Sequence, residues 1–221
     1  MILGNEWLQW TSDKLNKNDE FVNRVVQSNP IKNYEKGEVI YWQGKLGDKF
    51  YLLLEGRVEV NFVNNEGKKR IVSIHEPKCF IGESILDGFP HILTAVCLTP
   101  VKVAVLSIKD VNFWDREMLL ELNKSLVWKS RIVIGQLTDQ TFNEVGNRVE
   151  DLLLGLCNKF GKIDSDGVRV ELPITHQLIA DLVGSSRVRV SQSLGNMVKT
   201  KQLTMGRKNF RVCDTKRVQN D

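Results

Sequence analysis

From Asp110 to Ile134 the chain contains neither glycine nor proline, and Leu119, Leu120, Leu122, Leu126, Val127, Val133, Ile134 and Leu137 recur at helical spacing. The pattern predicts one long helix from about Asp110 to Phe142. At 1.5 Å per residue, a helix of about 30 residues reaches roughly 45 Å, more than a domain of this size needs for its own core. A partner helix is therefore expected. Val127, Ile134, Leu137 and Thr141 fall close to a 3-4 seam, interrupted by Ser130 and Gln140, which suits a coiled coil of two chains. The competing reading is that the stripe merely covers a neighbouring domain of the same chain.

The stretch before this helix has a different rhythm. Between Ile31 and Ser107, seven glycines (Gly37, Gly44, Gly47, Gly56, Gly67, Gly82, Gly88) separate short alternating or apolar runs such as Val58–Phe62 and Val101–Val105. The expected fold is an all-β barrel or jelly roll, with Asn64-Asn65-Glu66-Gly67 at a hairpin tip. After Gly146 a second helical run, Arg148 to Phe160, ends at Gly161, and Asp164-Ser165-Asp166-Gly167 makes a turn. Two modest domains suit 221 residues. The predicted class is α+β: N-terminal helices and a β jelly-roll sensor domain over 1–108, a long dimerisation helix over 109–143, and a C-terminal domain over 144–221.

No apolar run approaches the roughly 18 residues of a membrane helix, and Met1 to Asn18 lacks the basic and apolar regions of a secretory signal, so a cytoplasmic protein is expected. Cys79, Cys97, Cys157 and Cys213 are widely spaced, with no C-x-x-C or Cys/His cluster, which argues against a locally spaced zinc or iron-sulfur site. They are expected to be reduced and mostly buried. There is no Ser/His/Asp grouping, P-loop or H-E-x-x-H, so an enzyme reading finds no catalytic residues.

The net charge of +4 is mild but unevenly placed: from Ser185 to Arg217 there are nine basic residues against Asp214 alone, giving +8. Such a surface faces a polyanion. Within it, LPITHQLIADLVGSSRVRVSQSLGNMVKTKQL from Leu172 holds two helical patterns separated at Gly184. The first runs from Thr175, a candidate N-cap, to Val183, with Leu178, Ile179, Leu182 and Val183 inward. The second follows Ser185-Ser186, either of which can cap it, with Val190, Leu194, Met197 and Val198 inward. This is a helix-turn-helix pattern. It leaves Arg187, Val188, Arg189, Ser191 and Gln192 on or near the exposed N-terminal half of the second helix, the half that enters the major groove in such proteins. Arginine can pair with guanine, glutamine with adenine, and valine can touch a thymine methyl. Thr175, His176, Ser185, Ser186 and the helix N-terminal amides are placed to meet phosphates. Met205 to Phe210 resembles a wing with a basic tip that includes Lys208.

The order of parts, with GDKFYLLLEGRVEV, CFIGESIL and LIADLVGSSRVRVSQSL, resembles the CRP/FNR family of transcription regulators over about Ile31 to Val212. The resemblance implies a homodimer seamed by the long helices, a winged helix-turn-helix on double-stranded DNA, a two-fold symmetric site with half-sites one helical turn apart, and activation or repression of transcription. Relatives that activate also touch RNA polymerase. In the cyclic-nucleotide branch a Gly-Glu pair holds the ribose and an arginine before a hydroxyl residue holds the phosphate. Here Gly82 and Glu83 are present, but Leu93 precedes Thr94, and Val133 and Ile134 replace the helix hydroxyls that meet the base.

These six positions are the candidate effector pocket, and cyclic AMP is disfavoured, with Gly82 and Glu83 as a turn and a surface carboxylate the competing reading. The first 78 residues contain no cysteine, which excludes the iron-sulfur branch. A haem branch uses a β-domain histidine, for which His75 is the nearest candidate, but no cofactor is expected. Arg187-Val188 is similar to the nitrogen-control branch, whose members sense 2-oxoglutarate. The rival function is a ligand-binding regulatory subunit acting through protein contacts, against which exposed Arg187 and Arg189 speak.

Overall fold

The computed structural model describes residues 10–11, 19–171, 174–206 and 209–213. They divide into two compact units, one from Trp10 to Val133 and one continuing from Ile134. The first unit holds nine strands: β1 (Trp10–Thr11), β2 (Ile31–Tyr34), β3 (Val39–Tyr41), β4 (Lys49–Glu55), β5 (Val58–Val63), β6 (Lys69–His75), β7 (Phe80–Ile81), β8 (Thr94–Cys97) and β9 (Val101–Ser107). They form two sheets, β1-β6-β5-β8-β3 and β2-β9-β4-β7. This is the expected β-rich domain. At the β5–β6 tip, Asn64 Oδ1 accepts from the amides of Glu66 and Lys68, which closes the turn without help from the rest of the fold.

The apolar run Phe50-Tyr-Leu-Leu53 is explained by burial on both faces. Tyr51 and Leu53, with Val101 and Val103 of β9, enter the core between the two sheets, alongside Val58, Val60, Ala95 and Cys97. Phe50 and Leu52, with Ala104 and Leu106, face the other way, onto Phe21 and Val25 of α1 (Asp19–Ser28) and Leu122 of α2 (Arg116–Phe142). Phe80 and Trp114 complete an aromatic group there, with ring centroids about 6 Å apart.

The long helix starts later than its apolar pattern suggests. Asp110–Phe113 forms a separate 3₁₀ turn, Trp114 is extended, and Asp115 caps α2 by accepting from the amide of Met118 at 2.9 Å. A capping carboxylate and an extended tryptophan filling the aromatic group outweigh the continuous helical periodicity. The helix therefore has 27 residues.

The second unit packs α3 (Val145–Phe160) and α5 (Arg187–Lys199) against the sheet β10-β11-β13-β12, formed by Gly161–Asp164, Gly167–Val170, Phe210–Val212 and Leu203–Met205 respectively, with α4 (His176–Val183) packed on α3 and α5. Val149, Leu152, Leu153 and Leu156 of α3 are buried, as are Ile179, Val183, Val190, Leu194, Leu203 and Phe210. Four inward assignments shift. Val198 is exposed, and Leu178, Leu182 and Met197 are only partly covered, because α4 turns Ile179, Ala180, Asp181 and Val183 inward, and α5 buries only Val190 and Leu194. Of the four thiols only Cys97 and Cys157 are buried, and Cys213 is exposed.

His75 is 3% exposed and directly opposite Val58, with Ser73 Oγ 3.1 Å from its Nε2. Burial, reinforced by the charge of Lys129, holds its pKa well below the ordinary 6.5. The unfolded chain then takes up a proton below pH 6.5 that the folded chain refuses, so stability is full above that pH and falls below it. The expected result is a urea midpoint flat from about pH 8 to 7 and declining towards about pH 5.5, with a smaller decline for His75→Gln. His91, also held low by burial, contributes the remainder.

Candidate functional site

The exposed end of the second unit is built on two helix starts. Thr175 Oγ1 accepts from the Leu178 amide at 3.1 Å and Ser186 Oγ from the Arg189 amide at 3.3 Å, so each helix begins on a hydroxyl cap. Between them Gly184 adopts the left-handed conformation (φ 64°, ψ 53°), and the amides of Gly184 and Ser185 both return to the Ala180 carbonyl. The chain thus turns sharply from α4 into α5, and Ser185 serves the turn while Ser186 serves the cap.

Val190 and Leu194 pin α5 to the core, which dictates what faces outward. Arg187, Val188, Ser191 and Gln192 line one open concavity. Val188 is 66% exposed, an unfavourable position for an apolar side chain without a partner. Arg189 is exposed too, but the helix period places it about 100° beyond Val188, off that strip. His176 is partly covered, its Nδ1 2.8 Å from Ser191 Oγ. β12 and β13 pair as a hairpin, with the Gly206 amide donating to the Asn209 carbonyl at 2.9 Å. Lys208 lies outside the described residues. The strip offers a guanidinium, a carboxamide, a hydroxyl and a branched apolar group side by side, a set suited to base edges.

In the β domain, Gly82 (φ 83°) opens the 3₁₀ turn Glu83–Asp87. Glu83 is not a surface carboxylate: it is 4% exposed and ion-paired with Lys129 of α2, whose ammonium also donates to the Phe80 carbonyl at 2.6 Å. Leu93 packs against the inter-sheet core, and Thr94 Oγ1 accepts from the Gln43 amide. Val133 and Ile134 are 51% and 58% exposed. Beside Gly82, His91 stacks on Tyr41 with centroids 4.0 Å apart. A side chain at Gly82 would strike Tyr41 Cε1 at 2.9 Å. Lys129, Tyr41 and His91 escaped the sequence reading.

Residues 31–113 match the cyclic nucleotide-binding domain and residues 147–220 the Crp-like helix-turn-helix domain. The CRP-like cAMP-activated global transcriptional regulator of Mycobacterium tuberculosis is 28% identical over 196 residues, 87% of each chain. The global nitrogen regulator of Synechococcus elongatus is 29% identical over 194 residues, 82% of this chain and 85% of that one. A solved CRP/FNR-family transcriptional regulator of Thermus thermophilus superposes with a TM-score of 0.73 at 25% identity, covering 86% of this chain and 96% of that one. The chain belongs to the CRP/FNR family. This CRP/FNR protein is a transcriptional regulator with a helix-turn-helix DNA-binding domain, not an enzyme. Among the described residues no helix is long and apolar enough to cross a membrane.

The domain match names a cyclic nucleotide, and the residues do not fit one well. The Glu83 carboxylate is already neutralised by Lys129, and Leu93 brings no charge to a phosphate, whose burial without a bidentate partner is costly. Removing one member of a buried ion pair strands the other. Lys129→Met is expected to lower unfolding free energy by about 3 kcal/mol, and adding Glu83→Gln to recover part of it, read from urea denaturation of both variants.

Proposed function

We propose that this CRP/FNR regulator acts as a homodimer on a palindromic DNA site, reading sequence with α5 and modulated through its β domain by an effector other than cyclic AMP, or by none. The observation that carries the reading is the strip of exposed Arg187, Val188 and Gln192, with half-buried Ser191 lining the same concavity, on a helix whose opposite face is locked into the core. In this reading Arg187, Val188, Gln192 and Ser191 meet bases. Arg189, Thr175, His176, Ser185 and Ser186, with Lys208 from the wing, meet phosphates and fix register.

The dimer rests on α2. Leu120, Val127, Ile134 and Thr141 recur every seven residues, flanked on one side by Leu137 and, further round, by Leu119, Leu126 and Val133, and all eight are exposed in the single chain. Thr141 turns its hydroxyl back to the Leu137 carbonyl, so it presents a methyl to the seam. RNA polymerase is the further partner that the family role implies. Gly82, Glu83, Leu93, Thr94, Val133 and Ile134 remain the candidate surroundings of an effector, with Lys129 now beside Glu83.

Selection of bound duplexes from a random pool, without ligand, with cyclic AMP and with 2-oxoglutarate, tests the reading. A palindromic consensus is expected, unaffected by cyclic AMP. Dependence on cyclic AMP would overturn the effector assignment, and the absence of any consensus would overturn sequence reading. On the consensus, Arg187→Ala is expected to weaken binding by about 1 to 3 kcal/mol and to relax one base position. Ile134→Asp is expected to sediment as a monomer and to lose binding to the palindrome, because a carboxylate buried in an apolar seam has no partner. A variant that stays dimeric would move the interface elsewhere.

A further inference from the structure

Ser191 is half-buried and lines the same concavity of α5, and its hydroxyl is not a free rotor. It is held 2.8 Å from Nδ1 of His176, the first residue of α4. The other ring nitrogen, Nε2, has no hydrogen-bond partner among the described residues. A neutral imidazole carries one N–H and one lone pair, so the partner of one nitrogen dictates the role of the other. A phosphate oxygen only accepts. With Nε2 turned to the DNA backbone, the ring proton resides on Nε2 and Nδ1 is left as an acceptor. Ser191 then donates its single proton to Nδ1, and only oxygen lone pairs remain for the groove.

We propose that His176 and Ser191 act as one unit that fixes the Ser191 hydroxyl as an acceptor, making this position of α5 select a base pair with an exocyclic amine in the major groove, adenine N6 or cytosine N4. The role rests on α5 being the base-reading helix. An unrestrained serine hydroxyl reads donors and acceptors alike. The contact to His176 removes that ambiguity, so His176 is a positioning residue for specificity as well as a phosphate contact.

The test uses the full-length protein and its selected consensus, with duplexes in which adenine is replaced in turn by a purine lacking the 6-amino group, or cytosine by an analogue lacking the 4-amino group. At one position the deletion is expected to weaken wild-type binding roughly fivefold beyond its effect on Ser191→Ala and on His176→Gln. Glutamine places its amide near Nε2 and abandons Ser191, whereas His176→Asn places an amide oxygen near Nδ1. His176→Asn is therefore expected to restore the amine penalty while binding every duplex more weakly. The inference is overturned if Ser191→Ala keeps the full amine penalty. It is equally overturned if His176→Gln lowers affinity for all duplexes with that penalty intact, since His176 would then only touch phosphate. Loss of the underlying reading looks different: Arg187→Ala would leave the consensus unchanged, or the wild type would enrich no sequence.

Discussion

Both faces of the β4–β9 pair must be kept from water, and the rest of the first unit follows from that requirement. One face is closed by the opposing sheet, through Leu53, Val103, Val58 and Ala95. The other needs helices, and α1 and the start of α2 supply Phe21, Val25 and Leu122. α2 therefore has a fixed phase at its beginning: Leu122 is committed to the sheet and Lys129 to Glu83 and the Phe80 carbonyl. With its phase set on one side, the apolar residues at Leu120, Val127, Ile134 and Leu137 are presented on the other.

The Glu83–Lys129 pair gives the β domain a mechanical as well as an electrostatic connection to α2. A buried carboxylate is stable only with its cation, so the 3₁₀ turn after β7 and the middle of α2 are bound to move together. Any ligand that competes for Glu83 must offer Lys129 another partner, which favours ligands that bring an acceptor of their own. The Tyr41–His91 stack lies against Gly82, at the head of the same turn, and leaves no room for a side chain there. The region thus holds its own charges and rings in contact, a different arrangement from an open charged cradle.

How much was legible in the sequence varies with the range of the forces involved. The caps and turn of the helix-turn-helix were legible because their determinants are local: Thr175 caps α4, Gly184 turns the chain and Ser186 caps α5, all within one short segment. The β domain was legible from glycine spacing, but the double burial of Phe50 to Leu53 was not read from the sequence, because it depends on helices that pack from elsewhere in the chain. The start of α2 was not, since Asp115 acts through one hydrogen bond and Trp114 through contacts with Phe50 and Phe80, distant in sequence. Val198 was misplaced because helical periodicity gives a stripe but not its width. Lys129 and the His176–Ser191 contact lay beyond reach for the same reason: pairing across 46 or 15 residues leaves no trace in spacing.

The division of labour on α5 bears on how such a chain can diverge. Val190 and Leu194 carry its packing, while Arg187, Val188 and Gln192 are exposed and support nothing beneath them. Surface substitutions of this kind usually change stability by no more than about 0.5 kcal/mol. A duplicated copy of the gene can therefore explore new side chains at those three positions without first acquiring compensating core mutations. Ser191 is the exception, because its neighbour on α4 must change with it. Inherited pairs at 176 and 191, rather than single residues, would then be the unit in which this part of the surface evolves.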